Sequence, residues 1–325
     1  MKEKRLFRFG VIVLSIVLVA CTGGSSEAGC PAIDGREINV VATTPMIGEF
    51  VSQVGGDNIN LTVLMPAEAD PHNYDPSPQD AGKIADADLV FYTGLRYEPS
   101  ALVKLLENSA CSSEVLAEVG ENVFPIEFKE EGHDDHDEEG HDDHEGHDHG
   151  AYDPHFWFDP NRVSYAAEYI ESKLVEFDPS NASDYEAAGK AYVTELKGLV
   201  SQVSELISTI PSQNRKLITT HESLGYLEAK FGLEVLSTII PSVDSANEIS
   251  PSQLVGVIDV IEDNNVKVIF IEAEAPSVYA DTIVSETGIK AVEGLWVETL
   301  KEGQSYPEFL FEAVELIVEN LTNTD

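Results

Sequence analysis

Basic residues are scarce in this sequence: 19 lysines and arginines stand against 59 acids, for a formal net charge of −40. A chain so short of cations cannot neutralise a phosphate backbone, which excludes nucleic acid as a partner and favours cations as ligands. Cysteine is nearly absent. There are 3, none in a C-x-x-C pair, which argues against a thiolate zinc site. No run is long enough to cross a membrane at the amino terminus, where the apolar stretch 11–20 (VIVLSIVLVA) falls well short of the roughly 20 residues a spanning helix needs. Also missing are H-E-x-x-H, G-x-S-x-G and a phosphate-binding Walker loop, the signatures that would have argued for a zinc protease, a serine hydrolase or a nucleotidase. His221-Glu222 opens like the first of these, but no second histidine follows four residues on.

What is present begins with a targeting segment. Lys2, Lys4, Arg5 and Arg8 precede the apolar stretch, so residues 1–20 read as a signal peptide and drop out of the fold. Leu18-Val19-Ala20-Cys21, followed by Thr22-Gly23-Gly24-Ser25-Ser26, resembles a bacterial lipobox. It implies cleavage before Cys21, acylation of its thiol and anchoring to the outer face of a membrane through residues 21–37. Cys30 and Cys111 then remain, able to pair in an oxidising compartment or to stay apart.

A length of 325 residues suggests about two domains. Short β-branched runs alternate with helical patterns from residue 38 onward. Strands are expected at 38–42, 60–65, 88–93 and 122–126, with helices at 45–54, 78–85 and 99–108 between them. A second alternating set places strands at 217–220, 234–239, 267–271 and 290–292, and helices at 224–231, 251–264, 276–287 and 306–321. Helices 162–177 and 182–210 lie between the two sets, the second about 40 Å long. The pattern predicts an α/β fold of parallel sheets in two similar lobes, 38–161 and 211–325, with a cleft between them and the helical region 162–210 joining them. Residues 129–150 interrupt this with histidine, acid and glycine only past Lys129, and read as a disordered loop. With 11 acids and 6 histidines at 130–149, its expected role is low-affinity metal capture.

Six of the 9 histidines sit in that loop, leaving His72, His155 and His221 for the ordered lobes. His72 and His155 each close an Asp-Pro-His tripeptide. Proline stiffens both turns, and the nearby aspartate is placed to orient the ring, as ligand histidines require. His221 follows a strand directly, where ligands bind in open α/β sheets. Three such histidines point to one shared metal.

These residues sit in longer motifs: ADPHNYDPSPQD at 69–80, DPHFWFDP at 153–160, THESLGYLEAKFGL at 220–233 and VIFIEAEAPS at 268–277. Together with the lipobox and the His-rich loop, they resemble the zinc- and manganese-binding solute receptors of ABC importers, over almost all of the mature chain. The resemblance implies two four-stranded βα lobes bridged by one long helix, with the metal in the interlobe cleft. It implies His72, His155 and His221 as ligands, the last standing where manganese members carry a carboxylate. The fourth ligand, usually aspartate, falls on Glu298 in Leu295-Trp296-Val297-Glu298-Thr299-Leu300, one methylene longer. Glu68, Glu222 and Glu272 are the alternatives. Three imidazoles and one carboxylate suit four-coordinate Zn²⁺, whereas Mn²⁺ prefers more oxygen. The expectation is therefore a non-enzymatic, monomeric zinc receptor that delivers Zn²⁺ to an ABC permease in the membrane. A manganese receptor, or a zinc hydrolase with an open three-histidine site, is the alternative, and a surface adhesin would not need the triad.

Overall fold

The computed structural model describes residues 30, 33, 35–128, 152–247, 249–274 and 278–322. The signal peptide, Cys21 and most of the tether lie outside those residues, as do the His-rich segment 129–150 and the first two residues of the helix expected at 276–287, which begins at Ala280.

Two parallel four-stranded sheets carry the fold. The first comprises β1 (Ile38–Ala42), β2 (Ile59–Val63), β3 (Leu89–Tyr92) and β4 (Leu116–Glu118), in the order β2-β1-β3-β4. The second comprises β5 (Lys216–His221), β6 (Glu234–Ile240), β7 (Val268–Glu272) and β8 (Lys290–Leu295), in the order β6-β5-β7-β8. The two orders are equivalent, and in each the chain reverses direction of travel beside the first strand. That switch point opens a crevice beyond the carboxyl ends of the strands.

Helices α1 (Pro45–Gly55), α2 (Pro78–Ala85), α3 (Ser100–Ser109), α4 (Pro160–Phe177) and α5 (Ala182–Ser208) precede the second sheet. Helices α6 (Gly225–Phe231), α7 (Pro251–Asn264), α8 (Ala280–Thr287) and α9 (Tyr306–Thr322) complete the chain. Four of them start in one way: Thr44, Ser77, Asp159 and Ser250 each accept a hydrogen bond from a first-turn N–H, and a proline follows at the first helical position. The cap satisfies an orphan donor, and proline gives up an N–H that had no partner. These signals fix where the loops at the strand ends stop.

Strand side chains alternate between two cores, as a period of two demands. Val40 and Ala42 face one cluster while Val41 faces another, and Val268 and Phe270 divide from Ile269 and Ile271 in the same manner. The outer clusters are local to each sheet, under α2 and α3 or α7 and α8. The inner cluster runs without a break from Ile38 to Leu321 and includes Tyr192, Leu196, Leu199 and Val203 of α5. Helix α5 packs on α1, α4 and α9, so one rigid rod of 27 residues touches both halves. A continuous core along such a rod opposes wide hinge opening.

The fourth strand of the first sheet corrects the expectation. It is formed by Leu116–Glu118, and, among the described residues, 122–126 pair with no strand. Gly120–Val123 turn as a 3₁₀ helix and Phe124 takes a left-handed φ of 54°. The carbonyls of Val123 and Phe124 accept from the Arg162 guanidinium instead of a ladder partner. Three residues are too few for an alternation to show in the sequence.

Cys30 and Cys111 form a disulfide, with Cα atoms 5.1 Å apart and 81 residues between them in sequence. Closing a loop of that size restricts the unfolded chain by about 4 kcal/mol. A Cys30→Ser/Cys111→Ser variant is expected to lose up to about that amount in denaturant unfolding. Among the described residues, no helix is long and apolar enough to cross a membrane.

Candidate metal centre

Every chemically active side chain of the cleft comes from a loop or strand end at the carboxyl edge of a sheet. His72 lies in the Pro71–Asn73 turn after β2, Tyr97 after β3, and His155 in the connection from β4 to α4. His221 ends β5, Asp244 follows β6, Glu272 ends β7 and Glu298 follows β8. The parallel topology thus sends seven separate segments into one crevice.

There, His72, His155, His221 and Glu298 each present one ligand atom, and these four atoms lie within 4.8 Å of one another. Glu298 Oε1 stands 2.7 Å from His221 Nε2, 3.3 Å from His155 Nε2 and 3.5 Å from His72 Nε2. A tetrahedral ion with arms of about 2.0–2.1 Å separates its ligands by about 3.4 Å. The Nε2 atoms of His72 and His221 are buried without a hydrogen-bond partner, although Glu298 Oε1 comes within 2.7 Å of the second. Orphaned buried nitrogens around one carboxylate oxygen are costly, and a cation between them removes the cost.

The opposite ring nitrogens set the tautomers. His155 Nδ1 bonds Asp153 Oδ1 at 2.8 Å, and His221 Nδ1 bonds Glu272 Oε2 at 2.5 Å. Glu272 is held in turn by the hydroxyl of Ser223 and the N–H of His221. A carboxylate on Nδ1 keeps the proton there and turns Nε2 toward the centre. The two Asp-Pro-His turns differ on this point, against the expectation that each aspartate orients its own histidine. Asp153 accepts from both the N–H and the ring of His155. Asp70 is used up as the cap of its turn, accepting from the His72 N–H and from Asn73. The carboxylate facing His72 Nδ1 is Asp244, 3.9 Å away from the other half of the chain. Outer carboxylates of this kind commonly contribute about 10- to 100-fold to metal affinity. Asp153→Ala is accordingly expected to weaken metal binding by about that factor, measured by chelator competition.

The charges lock together. Burial works against a proton on His155, but Glu298 and Asp153 outweigh it and push the imidazole up to about 9. Burial opposes charge on His221 as well, and Glu272 and Glu298 raise it well above the usual range. Glu298 is fully buried, which alone would raise it, yet His155, His72 and His221 hold it well below the ordinary carboxylate value. A divalent cation replaces these protons as the partner of the buried carboxylates.

Tyr97 and Glu274 were not foreseen. The Tyr97 hydroxyl donates to Glu298 Oε2 at 2.9 Å and to the Glu298 carbonyl at 3.0 Å. Glu298 therefore offers its other oxygen alone to the histidines. Three consecutive residues before Tyr97 have positive φ, namely Gly94 at 75°, Leu95 at 52° and Arg96 at 65°. The turn is held by Glu98, which accepts from the N–H groups of Thr93 and Gly94, and by Glu118, which accepts from Leu95. Left-handed backbone at non-glycine residues is strained, and it persists here because two carboxylates over-determine it. Burial, with Glu298 adding to it, pushes Glu274 up to about 8.

Of the alternative fourth ligands, Glu272 backs His221, and Glu222 accepts from the Thr238 hydroxyl. Glu68 lies in a turn whose N–H donates to the Leu300 carbonyl. None of the three belongs to the four-atom cluster.

Two βα lobes with equivalent strand orders, one long helix along both and a buried donor cluster at the crevice define a two-lobed receptor for a small cation. A family profile described as zinc-uptake complex component A, periplasmic (ZnuA), matches residues 40–320, and the chain belongs to that family. It is 32% identical over 321 residues to the high-affinity zinc uptake system protein ZnuA of Bacillus subtilis, covering 96% of each chain. It is also 28% identical to the manganese ABC transporter substrate-binding lipoprotein PsaA of Streptococcus anginosus, over 98% of this chain and 99% of that one. Among solved structures, the periplasmic zinc binding protein TroA of Treponema pallidum shares the fold, with a TM-score of 0.75 at 22% identity over 88% of this chain and 100% of that one.

Proposed function

We propose that this chain is the extracytoplasmic zinc receptor of an ABC-type importer. In this reading residues 1–20 are a cleaved leader, Cys21 carries the lipid, and 21–37 tether the receptor to the membrane. Lobes 38–161 and 211–325, joined by 162–210, hold one Zn²⁺ on His72, His155, His221 and Glu298. A membrane permease then receives the ion from the monomeric receptor. The His-rich segment 129–150 gathers metal near the cleft.

The observation that carries the reading is the convergence of three imidazole nitrogens and one carboxylate oxygen within 4.8 Å. An N₃O set with a single available carboxylate oxygen favours four-coordinate Zn²⁺ over the oxygen-rich shells of Mn²⁺. Glu298 Oε1 also stands where the water of a hydrolytic zinc site would be, which argues against an open three-histidine hydrolase. Kinship with receptors named for manganese keeps that metal as the competitor in the test. Native mass spectrometry of the protein lacking 130–150, with zinc and manganese supplied together, is expected to show one bound zinc. One bound manganese under the same competition would make the chain a manganese receptor, and no tightly bound metal would end the reading.

A further inference from the structure

We propose that Glu274 is a positioning residue for this centre: its carboxylate shapes the backbone of residues 297–299 so that the Glu298 side chain reaches the histidines. The inference rests on Glu298 being a ligand.

Glu274 Oε1 accepts from three consecutive backbone N–H groups, those of Val297 at 3.1 Å, Glu298 at 2.9 Å and Thr299 at 3.2 Å. Its second oxygen also lies 3.3 Å from the Val297 N–H. Successive N–H groups aimed at one point form a concavity that fits an acceptor oxygen. Val297, Glu298 and Thr299 are each 0% exposed, so water has no access to replace the carboxylate. Unpaired, these donors would be buried orphans, which folded chains avoid. The clamp also continues the sheet. The Ala273 N–H donates to the Leu295 carbonyl at 2.8 Å, extending the β7–β8 pairing by one rung. One residue further on, a side chain takes over from the backbone ladder.

The same segment is held from its other side by the first half of the chain. Trp157 Nε1 donates to the Val297 carbonyl at 2.8 Å, and the Tyr97 hydroxyl donates to the Glu298 carbonyl. Donors of the segment are thus fixed by its own lobe, and acceptors by the opposite lobe. What remains free in Glu298 is its side-chain torsions, and Tyr97 restrains those through Oε2.

The test compares the purified full chain with Glu274→Gln, Glu274→Ala and Glu298→Ala variants. Zinc affinity is read by competition with a chromophoric chelator, and amide hydrogen exchange at 297–299 is followed in the metal-free protein. Glu274→Ala is expected to weaken zinc binding by about 10- to 100-fold and to deprotect residues 297–299 before any metal is added. Glu274→Gln keeps an acceptor oxygen and is expected to stay within about threefold of the parent on both readouts. If the alanine variant fails to fold, Glu274→Met, which fills the volume without an acceptor, carries the comparison. Parent-like affinity in Glu274→Ala or Glu274→Met overturns the proposal. So does lost affinity with unchanged exchange at 297–299, or a Gln variant as impaired as the Ala variant. Undiminished affinity in Glu298→Ala identifies the ligand reading itself as the failure, and the positioning role falls with it.

Discussion

His221→Ala is expected to lower zinc affinity by about two orders of magnitude or more. A four-ligand zinc site of this kind binds with roughly 10–16 kcal/mol, so each ligand accounts for about 3 kcal/mol, and each 1.4 kcal/mol is tenfold. The loss at His221 is expected to be at the upper end because two buried carboxylates depend on it. Glu272 and Glu298 both have oxygens against its ring, and all three side chains are 0% exposed. Removing the imidazole leaves those charges without their nearest partner. The result is read by chelator competition, with circular dichroism to confirm the fold. Affinity within a few-fold of the parent would mean that His221 is not a ligand.

Zinc binding at neutral pH is expected to expel protons, with affinity rising as pH rises. Glu298, with Asp153 on one ring and Glu272 on the other, outweighs burial, raising His155 to about 9 and His221 well above its ordinary range, so both rings favour a proton in the metal-free protein. Zinc takes neutral imidazole, so protons held on these rings are expected to leave as the ion binds. Affinity should then gain about tenfold per pH unit for each proton displaced. The metal-free fold responds in the opposite sense. A histidine whose value is raised on folding contributes stability that is fully present below its unfolded value, near 6.5, and is lost as pH climbs through the folded value. For His155 that window runs from 6.5 to about 9. The metal-free protein is therefore expected to lose thermal stability across this window, while the zinc-loaded protein does not. Calorimetric titration at pH 7 in two buffers of different ionisation enthalpy counts the protons. A count of zero would contradict the electrostatic picture.

Much of this arrangement was legible in the sequence, and the exceptions have physical reasons. Strands β1, β5 and β7 are β-branched runs with clear limits, and cap-proline pairs such as Ser77-Pro78 and Ser250-Pro251 mark helix starts within a residue. The three histidines could be singled out because so few lie outside the acidic segment. Glu298 was reached only through resemblance, since one glutamate among 59 acids carries no local signal. Strand β4 is too short to reveal its period, and 122–126 has the composition of a strand although its carbonyl at Val123 is taken by Arg162. The aspartate of the first Asp-Pro-His turn misled because capping and ring orientation need the same carboxylate, and only the backbone decides between them. Tyr97 and Glu274 act across the cleft or between strand ends, at separations of 201 and 24 residues from Glu298. No periodicity or motif encodes such pairings. The strained turn at 94–96 offered a faint hint in its glycine alone.

The central claim is that three imidazoles and one carboxylate of the cleft hold a single zinc ion. Zinc-edge X-ray absorption at one equivalent of metal tests it most directly, on the parent chain and on the His72→Ala/His221→Ala double variant. The account predicts four-coordinate zinc with three imidazoles and one oxygen at about 2.0–2.1 Å in the parent, and loss of that signature in the variant. An unchanged spectrum in the double variant, or a shell dominated by oxygen in the parent, would contradict it.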